Sequence, residues 1–407
     1  MDSSSLLTQS EWQQALAGSQ EKAALLFGRP EAEQKKLGYF HTLREICQQP
    51  WTWLRTCEQM IASRARLQEH LDGVKNLVFT GSGSSEYAGD CVRLPLRNEL
   101  GISVEVASGG ALVMQGVKAL PASRPGLLVS LARSGNSPES AGAVKILVDS
   151  DPEFRHLVVT CNEAGSLAKT WRHHRGALVV ALPPETNDES LVMTSSFTNL
   201  TLAARFLGLL GQPDVYRRLC ALQSRVCQGL ISTHFDTFGK IASREFGRAV
   251  FLGSGTRHAA SREASLKLLE MTSGRIPTIA ESYLGLRHGP MSFVHDDTLV
   301  VCQLSCDPVT RAYEVDLLAE LDRKKLGLST VVIGEGVRDS IRGFADEVIE
   351  CRGLAELGDD DGAIVFVVVA QLLAFFRCLE EGLQPDSPSE GGIIHRVVES
   401  FPLHMLS

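Results

Sequence analysis

Apolar runs of four to six residues, rich in Val and Leu, recur along the chain between Gly, Ser and Pro, as at residues 127–130, 157–160, 299–302 and 330–333. Stretches with helical spacing, such as 137–147, lie between them. Continuous apolar runs too short for helices, alternating with helical stretches, predict βαβ units around buried parallel strands. Right-handed crossovers then cover both sheet faces with helices, and ligands belong at the carboxyl ends of the strands.

The plan occurs twice. Residues 78–84 (Val-Phe-Thr-Gly-Ser-Gly-Ser) match residues 250–256 (Val-Phe-Leu-Gly-Ser-Gly-Thr) at five of seven positions, an offset of 172. At that offset 127–130 falls on 299–302, and 157–160 lies 173 residues before 330–333. Two tandem three-layer α/β/α domains with mostly parallel, flavodoxin-like sheets are predicted. Residues 1–55, with amphipathic stretches at 10–17 and 31–37 and with Trp51 and Trp53, predict a helical lead-in. The first domain is expected over 56–215 and the second over 216–382, opening with a helical connector at 216–243. Residues 383–407 form a Pro/Ser-containing tail over the site, and Asp359-Asp-Asp361 predicts a solvated loop.

Charge and composition narrow the partners. Forty Lys and Arg against 48 Asp and Glu leave a net charge of −8, which argues against nucleic acid. The first thirty residues lack a signal-peptide pattern. The longest apolar run, 363–376, is interrupted by Gln371 and falls short of the roughly 20 residues that span a bilayer, so no membrane partner is expected. Ten cysteines without a CxxC pair predict buried thiols in a reducing cytoplasm, with neither a disulfide nor a zinc framework. No zinc-binding histidine motif occurs, so neither a metal nor another cofactor is expected.

Two loops suit an anion. Thr80-Gly-Ser-Gly-Ser-Ser85 follows an apolar run, and small residues there let N–H groups and the hydroxyls of Ser84 and Ser85 crowd around a phosphate at a helix N-terminus. The third glycine of a dinucleotide fingerprint is replaced by Glu86, and by His258 in the second copy, which disfavours NAD. After the next run, Arg133-Ser-Gly-Asn-Ser137 brings Ser134 and Ser137 to a helix opening at Pro138, where simple capping is the alternative. No Walker A pattern occurs, so a small phosphorylated metabolite is favoured. In the second copy the equivalent loop, Gln303-Leu-Ser-Cys-Asp307, lacks the pattern, so only the first copy is expected to grip phosphate.

Acid-base chemistry is suggested further on. Glu263, Lys267 and Glu270 are spaced i, i+4, i+7 on one helix face, either as a solvated stripe or as a working set. Downstream, His288 follows Arg287 in a loop before Gly289-Pro290, where an imidazole titrates near neutrality.

Together, the paired Gly-Ser loops, Ser134-Gly-Asn-Ser137, Cys161-Asn-Glu-Ala-Gly-Ser166, the Glu263 to Glu270 helix and Arg287-His-Gly-Pro290 resemble the double sugar isomerase (SIS) family over about residues 55–400. The chain looks like the isomerase half of glucosamine-6-phosphate synthase and, through residues 133–140, Met193-Thr-Ser-Ser196 and Pro385-Asp-Ser-Pro388, like the bacterial galactosamine-6-phosphate deaminase/isomerases. The resemblance implies a phosphate held by Ser85, Ser134 and Ser137 with Ser84 and Arg133 adjacent, and places Thr194 and Ser195 at the substrate. It makes Glu270 the base between C1 and C2, His288 the ring-opening group, and Glu263 and Lys267 its partners at the substrate. A base of this kind works best when burial raises its pKa toward neutrality. Where the synthase carries a tail lysine, this chain reads Gly391-Gly-Ile-Ile-His-Arg396, so His395 or Arg396 is expected in that role. Residues 1–55 are too few for a glutamine-hydrolysing domain, and Met1-Asp-Ser offers no nucleophilic cysteine. Ammonia release from a phosphorylated amino sugar is therefore expected, in at least a homodimer. The other readings are a plain aldose-ketose isomerase, a glucosamine-6-phosphate deaminase, or a sugar-phosphate sensor without catalysis.

Overall fold

The computed structural model describes residues 7–341 and 343–404, and the start Met1-Asp-Ser lies outside them. Ten strands form two five-stranded sheets. The first contains β1 (Asn76–Thr80), β2 (Ser103–Val106), β3 (Gly126–Ala132), β4 (Phe154–Thr160) and β5 (Ala177–Ala181), in the order β2-β1-β3-β4-β5 with every pairing parallel. The second contains β6 (Arg248–Leu252), β7 (Thr278–Glu281), β8 (Thr298–Gln303), β9 (Ser329–Gly334) and β10 (Glu347–Glu350), again all parallel, in the order β7-β6-β8-β9-β10. Both orders are the flavodoxin-like 2-1-3-4-5.

Inner strands are apolar throughout because helices cover both of their faces. All seven residues of β3 and all six of β8 are buried, whereas edge strand β2 has Ser103 and Glu105 exposed. Val78, Leu128 and Val158 pack with Ala143, Val144 and Leu147 of the helix Pro138–Ser150. Val250, Val300 and Val332 pack likewise with Leu317, Leu318 and Leu321 of the helix Pro308–Arg323. The register locates the repeat: Phe79 pairs with Val129 and Phe251 with Val301, at the offset of 172. Val129 pairs with Leu157 and Val301 with Val331, so at β4 and β9 the offset is 331 − 157 = 174, one more than the 173 expected.

The two units are not consecutive in sequence. The first comprises residues 52–188, 193–220 and Gly392 onward, and the second comprises the residues up to Trp51, 189–192 and 221–391. This differs from linear boundaries at 55, 215 and 382, because distant hydrogen bonds recruit the ends of the chain. In the second unit the Trp12 indole donates to the Ser232 hydroxyl (2.8 Å), and the Asp236 carboxylate accepts the N–H groups of Glu21 (2.7 Å) and Lys22 (2.9 Å). The Gln49 amide donates to Gln371 Oε1 (2.7 Å), which satisfies the one polar interruption of the apolar run. That run is the helix Ala363–Glu380, long and apolar enough to cross a membrane by composition, yet 83% buried within the protein.

The connector is the thirty-residue helix Pro213–Ala242. All ten cysteines are free, and all but Cys306 are buried. The Asp359-Asp-Asp361 run corrects the expectation of a solvated loop. It closes the helix Leu354–Asp361, with Asp359 accepting the Cys306 N–H (2.8 Å) and the Ser305 hydroxyl, and Asp360 accepting the Thr256 hydroxyl. Among the described residues no cluster of three or more His, Cys, Asp or Glu is arranged to hold a metal ion.

Candidate functional site

In the first unit β1 runs into Gly81-Ser82-Gly83 and then the helix Ser84–Leu100. A Cβ on Gly81 would stand 2.6 Å from the backbone carbon of Ser85, so only glycine lets the first helical turn fold against the strand end. Gly83 supplies the turn with φ +57°. Ser84 and Ser85 are consequently buried in the first turn, with Ser85 Oγ 3.8 Å from Met193 Sδ.

The loop after β3 is held from the neighbouring strand. Asn162 donates its amide to the Ser134 carbonyl (3.0 Å), Leu167 N–H reaches the Gly135 carbonyl (2.9 Å), and Asn136 Oδ1 accepts the Ser166 N–H (2.8 Å) and hydroxyl (3.0 Å). Ser137 caps the helix Pro138–Ser150 by accepting the Ser140 N–H (3.3 Å), so the capping role is real, and its hydroxyl lies 2.7 Å from that of Ser140. The Ser134 hydroxyl accepts the Asn136 N–H (3.3 Å). Both serines are half-buried at the carboxyl edge of the sheet, and a helix N-terminus with its dipole faces the loop. This preorganised set suits a phosphate monoester.

The tail belongs to this unit. Arg396 donates to the Asp188 carbonyl (2.8 Å) and to Asn187 Oδ1 (2.9 Å), and its own carbonyl accepts from the buried Arg133. His395 is exposed beside Glu399 (3.3 Å). Thr194 and Ser195 are fully buried: Asp188, itself buried, accepts the Thr194 N–H (2.8 Å), the Ser196 N–H (2.8 Å) and the hydroxyls of Ser195 and Ser196. The Ser195 hydroxyl is thus engaged in building the turn. Asp188 was missed in the sequence, where only its place six residues before Thr194 marks it. A cleft of about 650 Å³ at the ends of β4 and β5 is lined by Arg66, Cys161, Asn162, Arg172 and Asn187, apart from the phosphate-loop serines.

The second unit carries Glu263, Lys267 and Glu270. Its turn Gly253-Ser254-Gly255 repeats the first, with Gly255 at φ +58°, and leads into the helix Thr256–Met271. Glu263 and Lys267 are not a solvated stripe, since both side chains are 0% exposed, while Glu270 is 24% exposed. The helix packs along Ala363–Glu380, which places this face inside the protein. Lys267 Nζ lies 3.4 Å from Glu263 Oε1 and 2.5 Å from Glu270 Oε2. Lys267 Nζ thus stands between two carboxyl groups, one of them fully enclosed with it. Glu270 is only partly buried. It is the solvent-reaching end of the set, accepting a hydrogen bond from Lys267 Nζ.

His288 is exposed on the turn after the helix Tyr283–Leu286. The turn is tied down by Arg287, whose Nε donates to Glu320 (2.7 Å), and hydrogen bonds from Lys324 and Arg287 hold the Glu320 carboxyl down at about 2. The structure therefore groups Glu263, Lys267 and Glu270 on one helix of the second unit. It groups Ser84, Ser85, Arg133, Ser134, Ser137 and Arg396 in the first.

No protein-family model matches the chain. It is similar to the D-galactosamine-6-phosphate deaminase AgaS of Escherichia coli, 35% identical over 369 residues, which cover 89% of this chain and 95% of the relative. The D-galactosamine-6-phosphate deaminase AgaS of Shewanella sp. is 32% identical over 381 residues, 92% of this chain and 94% of that one. Among solved structures, the tagatose-6-phosphate ketose/aldose isomerase of Escherichia coli superposes with a TM-score of 0.81 at 31% identity, covering 90% of this chain and 97% of that one.

Proposed function

The chain belongs to the AgaS family of D-galactosamine-6-phosphate deaminases, and from that premise we propose that it converts D-galactosamine 6-phosphate to D-tagatose 6-phosphate and ammonia. The hydroxyls of Ser84, Ser85, Ser134 and Ser137 hold the phosphate, with Arg133 beside them. Glu270 takes the C2 proton of the open-chain aldose and returns it to C1, while O1 gains a proton and the amine nitrogen gives one up, leaving a hydroxymethyl group at C1 and an imine at C2. Water adds to the imine, the C–N bond breaks, and ammonia and the C2 ketone remain.

Lys267 orients Glu270 and balances its charge as the proton leaves and returns. The observation that carries the reading is the Glu263, Lys267, Glu270 cluster, buried at one end and open at Glu270. A sensor has no use for such a set. His288, exposed on its braced turn, is assigned to ring opening, and that exposure favours action in the site of a second copy of the chain. The free thiols fit a cytoplasmic protein.

The test is ammonia and ketose phosphate release from galactosamine 6-phosphate and glucosamine 6-phosphate by the purified protein without added cofactor. Stoichiometric release from the galacto substrate, abolished in Glu270→Gln with sugar-phosphate binding retained, supports the proposal. Binding without ammonia from either sugar overturns it in favour of a plain isomerase or a sensor.

A further inference from the structure

The second unit repeats the turn and the strand-end loop that the first unit offers to an anion, and in the second unit both are filled. At the offset of 172, Ser82, Ser84, Ser85, Arg133 and Ser134 correspond to Ser254, Thr256, Arg257, Ser305 and Cys306. Each of these five second-copy residues bonds to a carboxylate. The Glu314 carboxylate accepts the Ser305 N–H (2.6 Å), the Ser254 hydroxyl (2.7 Å) and the Arg257 guanidinium (2.8 Å). The Asp359 carboxylate accepts the Cys306 N–H (2.8 Å) and the Ser305 hydroxyl, and lies 3.3 Å from Arg257 Nη2. Asp360 takes the Thr256 hydroxyl.

Arg257 and Glu314 are each only 1% exposed. Burial works against the guanidinium charge, but Glu314 and Asp359 outweigh it and raise the Arg257 pKa. The donors gathered here, two backbone N–H groups, three hydroxyls and a guanidinium at a helix N-terminus, are those a phosphate would recruit.

We propose that the second copy of the anion cradle is occupied by the chain's own carboxylates, chiefly Glu314 and Asp359, acting as a built-in substitute for phosphate. The substitute has a positioning role. Thr256 and Arg257 open the helix that carries Glu263, Lys267 and Glu270, so the internal anion fixes the head of that helix with or without substrate. It also confines phosphate binding to one site per chain, although the loop occurs twice.

Glu314 is buried and Asp359 is 28% exposed, so Asp359 is the carboxylate to remove. Asp359→Ala in the full-length protein opens a vacancy bounded by Arg257, Ser305 and Cys306. Two readouts follow, both without substrate. Equilibrium dialysis with inorganic phosphate is expected to count one more site per chain in the variant than in the wild type. Thermal unfolding in sulfate, against chloride at equal ionic strength, is expected to restore the lowered midpoint of the variant while leaving the wild type little changed.

An equal phosphate count in the two proteins, together with an equal response to sulfate, overturns the inference. A merely structural aspartate would give that result, because its loss is not repaired by a free anion. If Asp359→Ala yields no folded protein in chloride, Asp359→Asn replaces it in the same comparison, since its amide keeps an acceptor for Ser305 but loses the charge facing Arg257. The wild-type phosphate count tests the reading of the first unit, and the increment between the two proteins tests this one.

Discussion

His156, in the inner strand β4, makes folding sensitive to mild acid. It is 2% exposed, lies nearly parallel to the Trp171 ring (19°, centroids 6.4 Å apart), and neither ring nitrogen has a hydrogen-bond partner among the described residues. Burial first, then the neighbouring His174 and His70, push its pKa from 6.5 down to about 4, against a small opposing pull from Asp151. The unfolded chain therefore binds this proton at higher pH than the folded one, and stability is fully present above about pH 6.5 and lost as pH falls toward 4. With those two values, the folded state is weakened by about 2 kcal/mol at pH 5 relative to pH 7.5 through this group alone. His156→Leu removes the titration and keeps an apolar side chain against Trp171. Urea unfolding followed by tryptophan fluorescence at both pH values is expected to show a pH-dependent loss about 2 kcal/mol smaller in the variant, since the titration of every carboxylate is common to both proteins. An unchanged pH dependence in His156→Leu would refute the assignment of the acid-labile proton to this ring.

Further substitutions probe the site itself. Lys267→Met strands the fully buried Glu263 beside Glu270 without the ammonium, and a loss of about 3–5 kcal/mol in thermal unfolding is expected, with much of it recovered in Glu263→Gln/Lys267→Met. No recovery in the double variant would mean that the ion pair is not the cause. Ser137→Ala removes a helix cap, which costs about 1 kcal/mol, and it is expected to raise KM with kcat retained and to weaken stabilisation by inorganic phosphate. A loss of stability with KM unchanged would leave Ser137 as a cap alone.

What the sequence discloses follows the range of the forces involved. Inner strands declare themselves because two-sided burial demands an unbroken apolar run, and both Gly-Ser-Gly turns declare themselves because a side chain at Gly81 or Gly253 would collide with the next helical turn. The acid-base face was legible as spacing, but its burial was not, since Glu263 and Lys267 look like a solvated pair until the helix Ala363–Glu380 covers them. Long-range polar contacts were also hidden. Glu45 is buried because it accepts the Ser190 N–H (3.2 Å) and hydroxyl, and nothing local in an amphipathic helix announces a partner 145 residues away. Asp359 read as a solvated charge because its partners, Cys306 N–H and Ser305, stand more than fifty residues earlier.

The discontinuous make-up of each unit has a consequence for synthesis. The residues up to Trp51 leave the ribosome long before their partners: Gln49 waits for Gln371, 322 residues later, and Thr42 waits for Asp386, whose carboxylate takes its N–H (2.7 Å) and hydroxyl (2.8 Å) from 344 residues away. At about 5–20 residues per second that interval is roughly 20–70 s. For most of it, the helix Phe40–Cys47, whose Leu43 and Ile46 end fully buried, is without the helix Ala363–Glu380 against which it packs. Translation rate and early chaperone capture thus bear on the yield of this chain in a way that a protein built from consecutive domains avoids.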